Sequence, residues 1–291
     1  MVINANIADM QRKEEVMDKQ MKENSEKKLE ALKKELSGYN RLIIAYSGGL
    51  DSALLLKVAH MVLGDNVLAV ISDSPSIPRR ELQEAVSFAN GTGARIRVIN
   101  TRELDDQNYS RNPDDRCYYC KKELYEYIGD IAAEEGIKYV ANGTNVDDLG
   151  DYRPGLKAAD EHRIVSPLKD TGLTKDDIRL VARLIGLDIW DKPASPCLAS
   201  RIPYGSSVTR EKLSQVEKAE EFVRSFGARE IRVRHFDRKA VLEVNPVYRE
   251  IVEKNLSAIK KEFSLLGFSD TEVKDFKSGS LNQLININAK R

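Results

Sequence analysis

Two groups of residues in this chain could do chemistry. The first is Ser47-Gly48-Gly49-Leu50-Asp51-Ser52, set between the apolar run 42–46 and an apolar-periodic stretch ending at Leu63. Adjacent glycines let a backbone turn sharply and approach a ligand with no Cβ in the way. The free N–H groups of such a loop and of the helical turn behind it point at an anion, which the positive end of the helix dipole favours further. Ser47 and Ser52 add hydroxyl donors, and the Asp51 carboxylate suits a Mg2+ ion that bridges phosphate oxygens. No Gly-Lys-Ser/Thr ending follows, which separates this loop from the nucleotide loop of kinases and GTPases. The plain alternative for the same residues is a strand-turn-helix with serine caps.

The second group is the three cysteines. Cys117 and Cys120 form a C-x-x-C in Arg116-Cys117-Tyr118-Tyr119-Cys120-Lys121-Lys122, and Cys197 lies far off in Pro193–Arg201. Flanking Arg116, Lys121 and Lys122 are expected to lower the thiol pKa values and favour thiolate, the form that binds metals and attacks electrophiles. Four arrangements compete. Zinc needs a fourth ligand, and His60, His162 and His235 sit in unpromising contexts. A dithiol redox pair leaves Cys197 without a role, and buried inert thiols are the bland case. The fourth is a [4Fe–4S] cluster on three thiolates with one iron open to a substrate or sulfide. An odd cysteine count with no sign of export fits a reducing cytoplasm.

Further polar groups sit where strands end. Ser72-Asp73-Ser74 could meet the adenosine part of a nucleotide. Asn142-Gly143-Thr144-Asn145 is followed by Asp147, Asp148 and Asp151, where Gly143 permits close approach and the carboxylates could contact a metal or substrate. A capped turn would use the same residue types. Arg153 suits a phosphate or carboxylate.

The elements that must position these groups follow from periodicity. Apolar strands at 42–46, 67–72, 95–100 and 138–142 alternate with helices at 52–63, 78–91, 118–135 and 174–185, the last opened by a Thr174/Asp177 capping box. Such alternation predicts an α/β doubly wound parallel sheet with ligands at its C-terminal strand ends. From 209 the order becomes helix (209–226), two strands (230–235 and 240–244), helix (246–266) and strand (271–276), a small C-terminal α+β domain before a polar tail. The expected division is an N-terminal helical extension 1–38, packing weakly, a nucleotide domain 39–205, and a substrate or oligomerisation domain 206–291. With 291 residues the chain can bury a large core, and its 46 basic and 46 acidic side chains cancel, so no nucleic-acid partner is expected. The sequence has no 18-residue apolar run and its N-terminus lacks the apolar core of a signal peptide, so a cytoplasmic protein without a membrane partner is expected.

The loop resembles the SGGxDS pyrophosphate loop (PP-loop) of ATP pyrophosphatases, which split ATP to AMP and pyrophosphate on an adenine nucleotide alpha hydrolase-like fold. YSGGLDSALLLKVA, NGTNVDDLGDYRPGLKA and SPCLASRIPYG followed by IRVRHFD resemble the LarE family over residues 40–285. That resemblance implies an ATP-dependent sulfur transferase. A carboxylate of pyridinium-3,5-biscarboxylic acid mononucleotide is adenylated and AMP is replaced by sulfur, toward a nickel-pincer cofactor. Some members sacrifice the sulfur of a single cysteine near Cys197; others, like the cluster-bearing tRNA sulfur transferases, carry three. Cys117, Cys120 and Cys197 together imply the second type, with a [4Fe–4S] cluster and with sulfide or a sulfur-delivering protein as donor. Arg201, Arg232 and Arg234 are the residues expected at the mononucleotide's phosphate and carboxylates, the last two on one strand face. A homo-oligomer is also implied. The competing functions are a tRNA thiolase, an ammonia-dependent adenylating ligase like NAD or GMP synthetase, and a non-catalytic nucleotide-binding module.

Overall fold

The structure is a computed structural model that describes residues 2–150 and 153–276, with side chains from residue 20 onward. Asp151 and the tail beyond residue 276 lie outside the described residues. In chain order the elements are α1 (Val2–Ser37), β1 (Leu42–Ala45), α2 (Leu50–Leu63), β2 (Val67–Asp73), α3 (Arg79–Thr92) and β3 (Arg95–Asn100). Then come α4 (Gln107–Ser110), α5 (Arg116–Glu135), β4 (Tyr139–Ala141), α6 (Pro154–Glu161), α7 (Pro167–Asp170) and α8 (Lys175–Leu184). The chain continues with α9 (Arg210–Arg224), β5 (Ile231–Phe236), β6 (Lys239–Val244), α10 (Arg249–Lys254), α11 (Leu256–Leu265) and β7 (Asp270–Asp275).

Two compact units result, each assembled from several segments: Met1–Ser72, Glu81–Ile99 and Leu124–Ser195 in one, Asp73–Arg80, Asn100–Glu123 and Pro196–Arg291 in the other. The first is built on a sheet of order β3-β2-β1-β4, with β1 parallel to both β2 and β4 (Leu42 faces Val67 and Tyr139). Every residue of β1 is buried, as a parallel strand with both faces covered must be, and Leu42, Ile43 and Ile44 carry the apolar run that allows it. Because the chain leaves β1 for β2 and β3 and returns to β4 on the other side, the sheet has its topological switch at the C-terminal ends of β1 and β4. The doubly wound fold expected from the sequence is thus present. Thr174 caps α8 through a full capping box with Asp177.

The second unit carries a sheet of order β5-β6-β7, with β5 and β6 antiparallel and β6 and β7 parallel. Ala219 and Val223 from α9 meet Val233, Leu242, Val252 and Phe263 in its apolar core. The helix expected over 246–266 is broken at Asn255, whose side chain turns back to donate to the Ile251 carbonyl at 2.8 Å, the competition with the helical ladder that makes asparagine a breaker.

The N-terminal helix differs from the weakly packed extension expected. It runs from Val2 rather than from about residue 17. Leu29, Leu32 and Leu36 are buried, and Lys28 reaches the Gly172 carbonyl (2.6 Å) and Asp177 (3.5 Å). A Lys/Glu-rich composition masked a stripe of leucines at helical spacing that closes over α2 and α8. No helix among the described residues is long and apolar enough to cross a membrane. Because Leu36 is fully buried, Leu36→Ala removes packing that the surface cannot refill. Its unfolding free energy in a denaturant titration falls by about 2–5 kcal/mol, whereas a loosely attached helix would give a change near zero.

Candidate active site

The pyrophosphate-type loop is shaped by close backbone approach. Gly48 has φ +75°, and a Cβ there would lie 2.5 Å from the Ala85 Cβ, so glycine is required on both counts. Across the switch point, a Cβ on Gly143 would lie 2.8 Å from the Ser52 amide nitrogen and 3.2 Å from the Asp51 carbonyl carbon. The two strand-end turns singled out in the sequence therefore meet. Asn145 donates to Asp51 Oδ2 at 3.0 Å, which fixes the carboxylate at the head of α2.

The serines divide their work. Ser52 is buried, its Oγ donating to the Gly49 carbonyl (3.0 Å) and lying 3.0 Å from Ser47 Oγ, so it closes the loop from inside. Ser47 is exposed and keeps its hydroxyl at the mouth of the loop, while Ser72 is half-buried at the end of β2. Gly49 caps α2 with no side chain taking its first N–H groups. This is the open donor set that an anion needs. Lys192, which sequence reasoning passed over, places its ammonium 2.7 Å from Glu81 and 3.5 Å from the Gly48 carbonyl. A lone Lys-Pro pair after a helix carries no signal of that placement.

Asp51 is under electrostatic load. Burial and the nearby Asp148 carboxylate raise its pKa above the ordinary 3.8, against the opposing pull of Lys175, Asn145 and Arg153. Asp148 is buried and pairs with Arg153 at 2.8 Å and with Lys175 at 3.4 Å. Two carboxylates held together against their repulsion are the donor set that a divalent cation relieves. Arg153 thus reaches this corner through Asp148.

The three cysteines all belong to the second unit. Cys117 and Cys120 occupy the start of α5, and Cys197 caps the short 3-10 turn Leu198–Arg201. Cys120 and Cys197 pack on the same apolar cluster around Tyr109, Leu198 and Ala199, while Cys117 is exposed. The thiols lie close enough for a charge on one to raise the pKa of the others. The thiolate-favouring effect expected of the flanking cations is outweighed. Burial pushes Cys120 well up, and packing around the thiol together with Cys197 raises Cys117 against Arg116 and Lys121. All three are free of disulfides.

No group of three or more His, Cys, Asp or Glu among the described residues is arranged to hold a single metal ion. The histidines stand apart: His60 meets the Gly64 carbonyl, His162 packs on Tyr125, and His235 bonds Gln215. That speaks against a lone zinc; cysteines that bind an iron–sulfur cluster ligate different irons and need not converge on a point.

The arginines fall into two kinds. Arg201 is 2% exposed; its Nε and Nη2 meet the two oxygens of Glu220 at 2.8 and 3.1 Å, and its Nη1 donates to the Pro196 carbonyl at 2.6 Å and the Cys197 carbonyl at 3.3 Å. Arg234 is likewise buried, on Glu243 at 2.8 Å and the Ser200 carbonyl at 2.8 Å. Both therefore hold the cysteine turn in place. Arg232 is half-buried over the Phe276 ring (4.7 Å), and its side chain makes no hydrogen bond or ion pair among the described residues. Burial and the charges of Arg201 and Arg234 bring its pKa down to about 10, so an incoming anion gains most there.

Two outcomes follow from these energetics. Asp51 is ionised against the effects of burial and Asp148, a penalty present above its raised folded pKa and relieved as pH falls through it. Asp51→Asn should therefore raise the melting temperature at pH 7, with the gain shrinking in acid. Burial alone would raise the pKa of Glu220, yet Arg201, Arg224 and the Val233 amide outweigh it and hold it below the usual 4.5. Its stabilisation is complete above that value and lost as pH falls through the depressed one. Glu220→Ala leaves buried guanidinium charge unpaired and should cost about 3–5 kcal/mol in denaturant unfolding at pH 7.

Comparison with known proteins agrees with this geometry. Residues 13–116 match the NAD synthase family. The chain is 35% identical over 258 residues to the pyridinium-3,5-bisthiocarboxylic acid mononucleotide synthase of Lactiplantibacillus plantarum, covering 86% of this chain and 92% of that protein. It is 40% identical over 264 residues to the uncharacterized protein slr1717 of Synechocystis, covering 89% of this chain and 98% of that one. A glutamine-hydrolyzing GMP synthase of Dehalococcoides mccartyi is 28% identical over 216 residues, 66% of this chain and 40% of that one. With a phosphate-type loop at the switch point of its sheet and this likeness over nearly its full length, the chain belongs to the LarE family and is an ATP-dependent sulfur transferase.

Proposed function

We propose that the protein adenylates a carboxylate of pyridinium-3,5-biscarboxylic acid mononucleotide and replaces AMP with sulfur, in the cytoplasm and as a homo-oligomer. The observation that carries this reading is the pairing, in one chain, of two features: the uncapped head of α2 beside Asp51, and three free thiols, two of them packed on one apolar cluster and the third exposed at the start of α5. Residues 39–205 would do the nucleotide work, and 206–291 would supply substrate contacts and self-association.

The chemistry balances in two steps. A substrate carboxylate oxygen attacks the α-phosphorus of ATP and the bond to the β-phosphate oxygen breaks, so pyrophosphate leaves and an acyl-adenylate forms. A hydrosulfide-level sulfur then attacks the acyl carbon, the bond to the phosphate oxygen breaks, and AMP leaves with a thiocarboxylate and a proton. The N–H groups at the head of α2 and the Ser47 hydroxyl would receive the departing pyrophosphate, with Mg2+ on Asp51. Ser72 and the Gly143 turn would border the rest of the nucleotide. Arg232 would take the mononucleotide's phosphate or carboxylate, Arg201 and Arg234 would hold the cysteine turn, and Arg153 would act at the Asp51 corner through Asp148.

Cys117, Cys120 and Cys197 would hold a [4Fe–4S] cluster, which when bound supplies an open iron for sulfide. Arg201, through its bonds to the Pro196 and Cys197 carbonyls, orients the third thiol. A single sacrificial cysteine would need no C-x-x-C partner pair, and the balanced charge of 46 basic and 46 acidic residues gives no global reason to expect tRNA.

Anaerobic reconstitution should yield about four irons and four sulfides per chain, with most of both lost in Cys117→Ala. Pyrophosphate release should require the pyridinium dicarboxylate. Colourless, iron-free wild-type protein would end the cluster reading. Loss of the Cys197 sulfur during turnover, read by mass spectrometry, would replace it with the sacrificial route.

A further inference from the structure

Arg116 opens α5 directly before Cys117 and is 4% exposed. A buried guanidinium ordinarily carries a carboxylate, because an unpaired charge away from water is costly. The other buried arginines of this unit obey the rule, Arg201 on Glu220 and Arg234 on Glu243. Arg116 does not. It makes no ion pair with a carboxylate among the described residues; its Nη1 donates to the Asn112 side chain, its guanidinium lies 5.2 Å over the Tyr204 ring, and its buried Nε has no partner.

Asn112 is itself fully buried and sits at φ +58°, a backbone region that asparagine tolerates. Its Nδ2 is spent on the Pro203 and Ser206 carbonyls at 2.8 and 2.9 Å, so its Oδ1 is aimed at Arg116. The guanidinium is thus held by neutral groups, with its positive charge uncancelled. The groups that act on it most strongly are the thiols of Cys197 and Cys117, followed by the phenols of Tyr109 and Tyr204. No carboxylate is among them.

We infer that Arg116 is the buried counter-charge of the three-thiol site and makes that site a receptor for a small anionic sulfur species, hydrosulfide or an anionic persulfide. The inference deepens the sulfur-transfer reading by naming the charge of the donor, but its electrostatic core concerns this chain's own residues in metal-free protein. Arg116 acts here as a positioning residue: it attracts and holds an anion beside Cys117 and takes no part in bond making.

The test compares alkylation of Cys117 by iodoacetate, an anion, with alkylation by neutral iodoacetamide, each rate read by peptide mass spectrometry at one pH. Their ratio cancels the fraction of thiolate and reports local potential alone. In metal-free wild-type protein at low salt the ratio should exceed that of glutathione by about fivefold, the effect of one charge at near contact in water, and the excess should shrink as salt is added.

Arg116→Gln should remove the excess, and Arg116→Lys should keep most of it even though it cannot reproduce the planar bonds to Asn112. A wild-type ratio equal to that of glutathione and insensitive to salt overturns the inference with no variant needed. So does an excess that survives in folded Arg116→Gln, which would assign the field to Lys121. Failure to make thiocarboxylate would leave the ratio unchanged, so the two readings fail separately.

Discussion

The carboxylate of Glu220 is the interaction on which the thiol-bearing unit depends. It is wholly buried, and it accepts from Arg201, from Arg224 at 2.9 Å and from the Val233 amide at 3.0 Å. Burying one carboxylate alone would cost several kcal/mol. Two guanidiniums and a strand amide offset that cost only in a fixed geometry, so α9, β5 and the turn 196–201 are locked to one another. Because Arg201 also binds the carbonyls of Pro196 and Cys197, the position of the third thiol is a by-product of a buried ion pair. Arg234 repeats the device from β5, joining Glu243 to the Ser200 carbonyl.

The nucleotide-type unit solves a different problem, bringing backbone close to backbone. Gly48 and Gly143 are the two places where a Cβ would collide, with Ala85 in one case and with the Ser52 backbone in the other. Their absence of side chains lets two strand ends share one corner with Asp51, Asn145 and Asp148. Burial and the Asp148 carboxylate raise the Asp51 pKa there, against the pull of Lys175, Asn145 and Arg153. Two carboxylates kept together at a switch point are a donor set that suits a divalent cation.

Much of this was legible in the sequence, for physical reasons. β1 and β2 are unbroken apolar runs, which parallel strands buried on both faces must be, and β3 was bounded to the residue by its flanking turns. The loop 47–52 and the turn at Gly143 were readable as places of close backbone approach because glycine at a strand end permits it, although capped turns use the same residue types. Two things were hidden. Leu29, Leu32 and Leu36 are diluted by lysine and glutamate, so the first helix looked solvated although one face is buried. The fate of Arg201 depends on Glu220, 19 residues on, and that of Arg116 on the lack of a carboxylate partner among the described residues, which no local pattern encodes. The thiol pKa values were misjudged for a related reason: neighbours in sequence reveal charge, while burial is a property of the fold.

The central claim is that ATP is spent to turn a carboxylate into an acyl-adenylate before sulfur arrives. Its most direct test uses substrate whose carboxylate oxygens are 18O and follows the label into the released nucleotide by mass spectrometry. The mechanism transfers one carboxylate oxygen to the α-phosphate, so AMP must carry a single 18O for each thiocarboxylate formed, with none in pyrophosphate. Unlabelled AMP accompanying full thiocarboxylate formation, or label recovered in pyrophosphate, would contradict it.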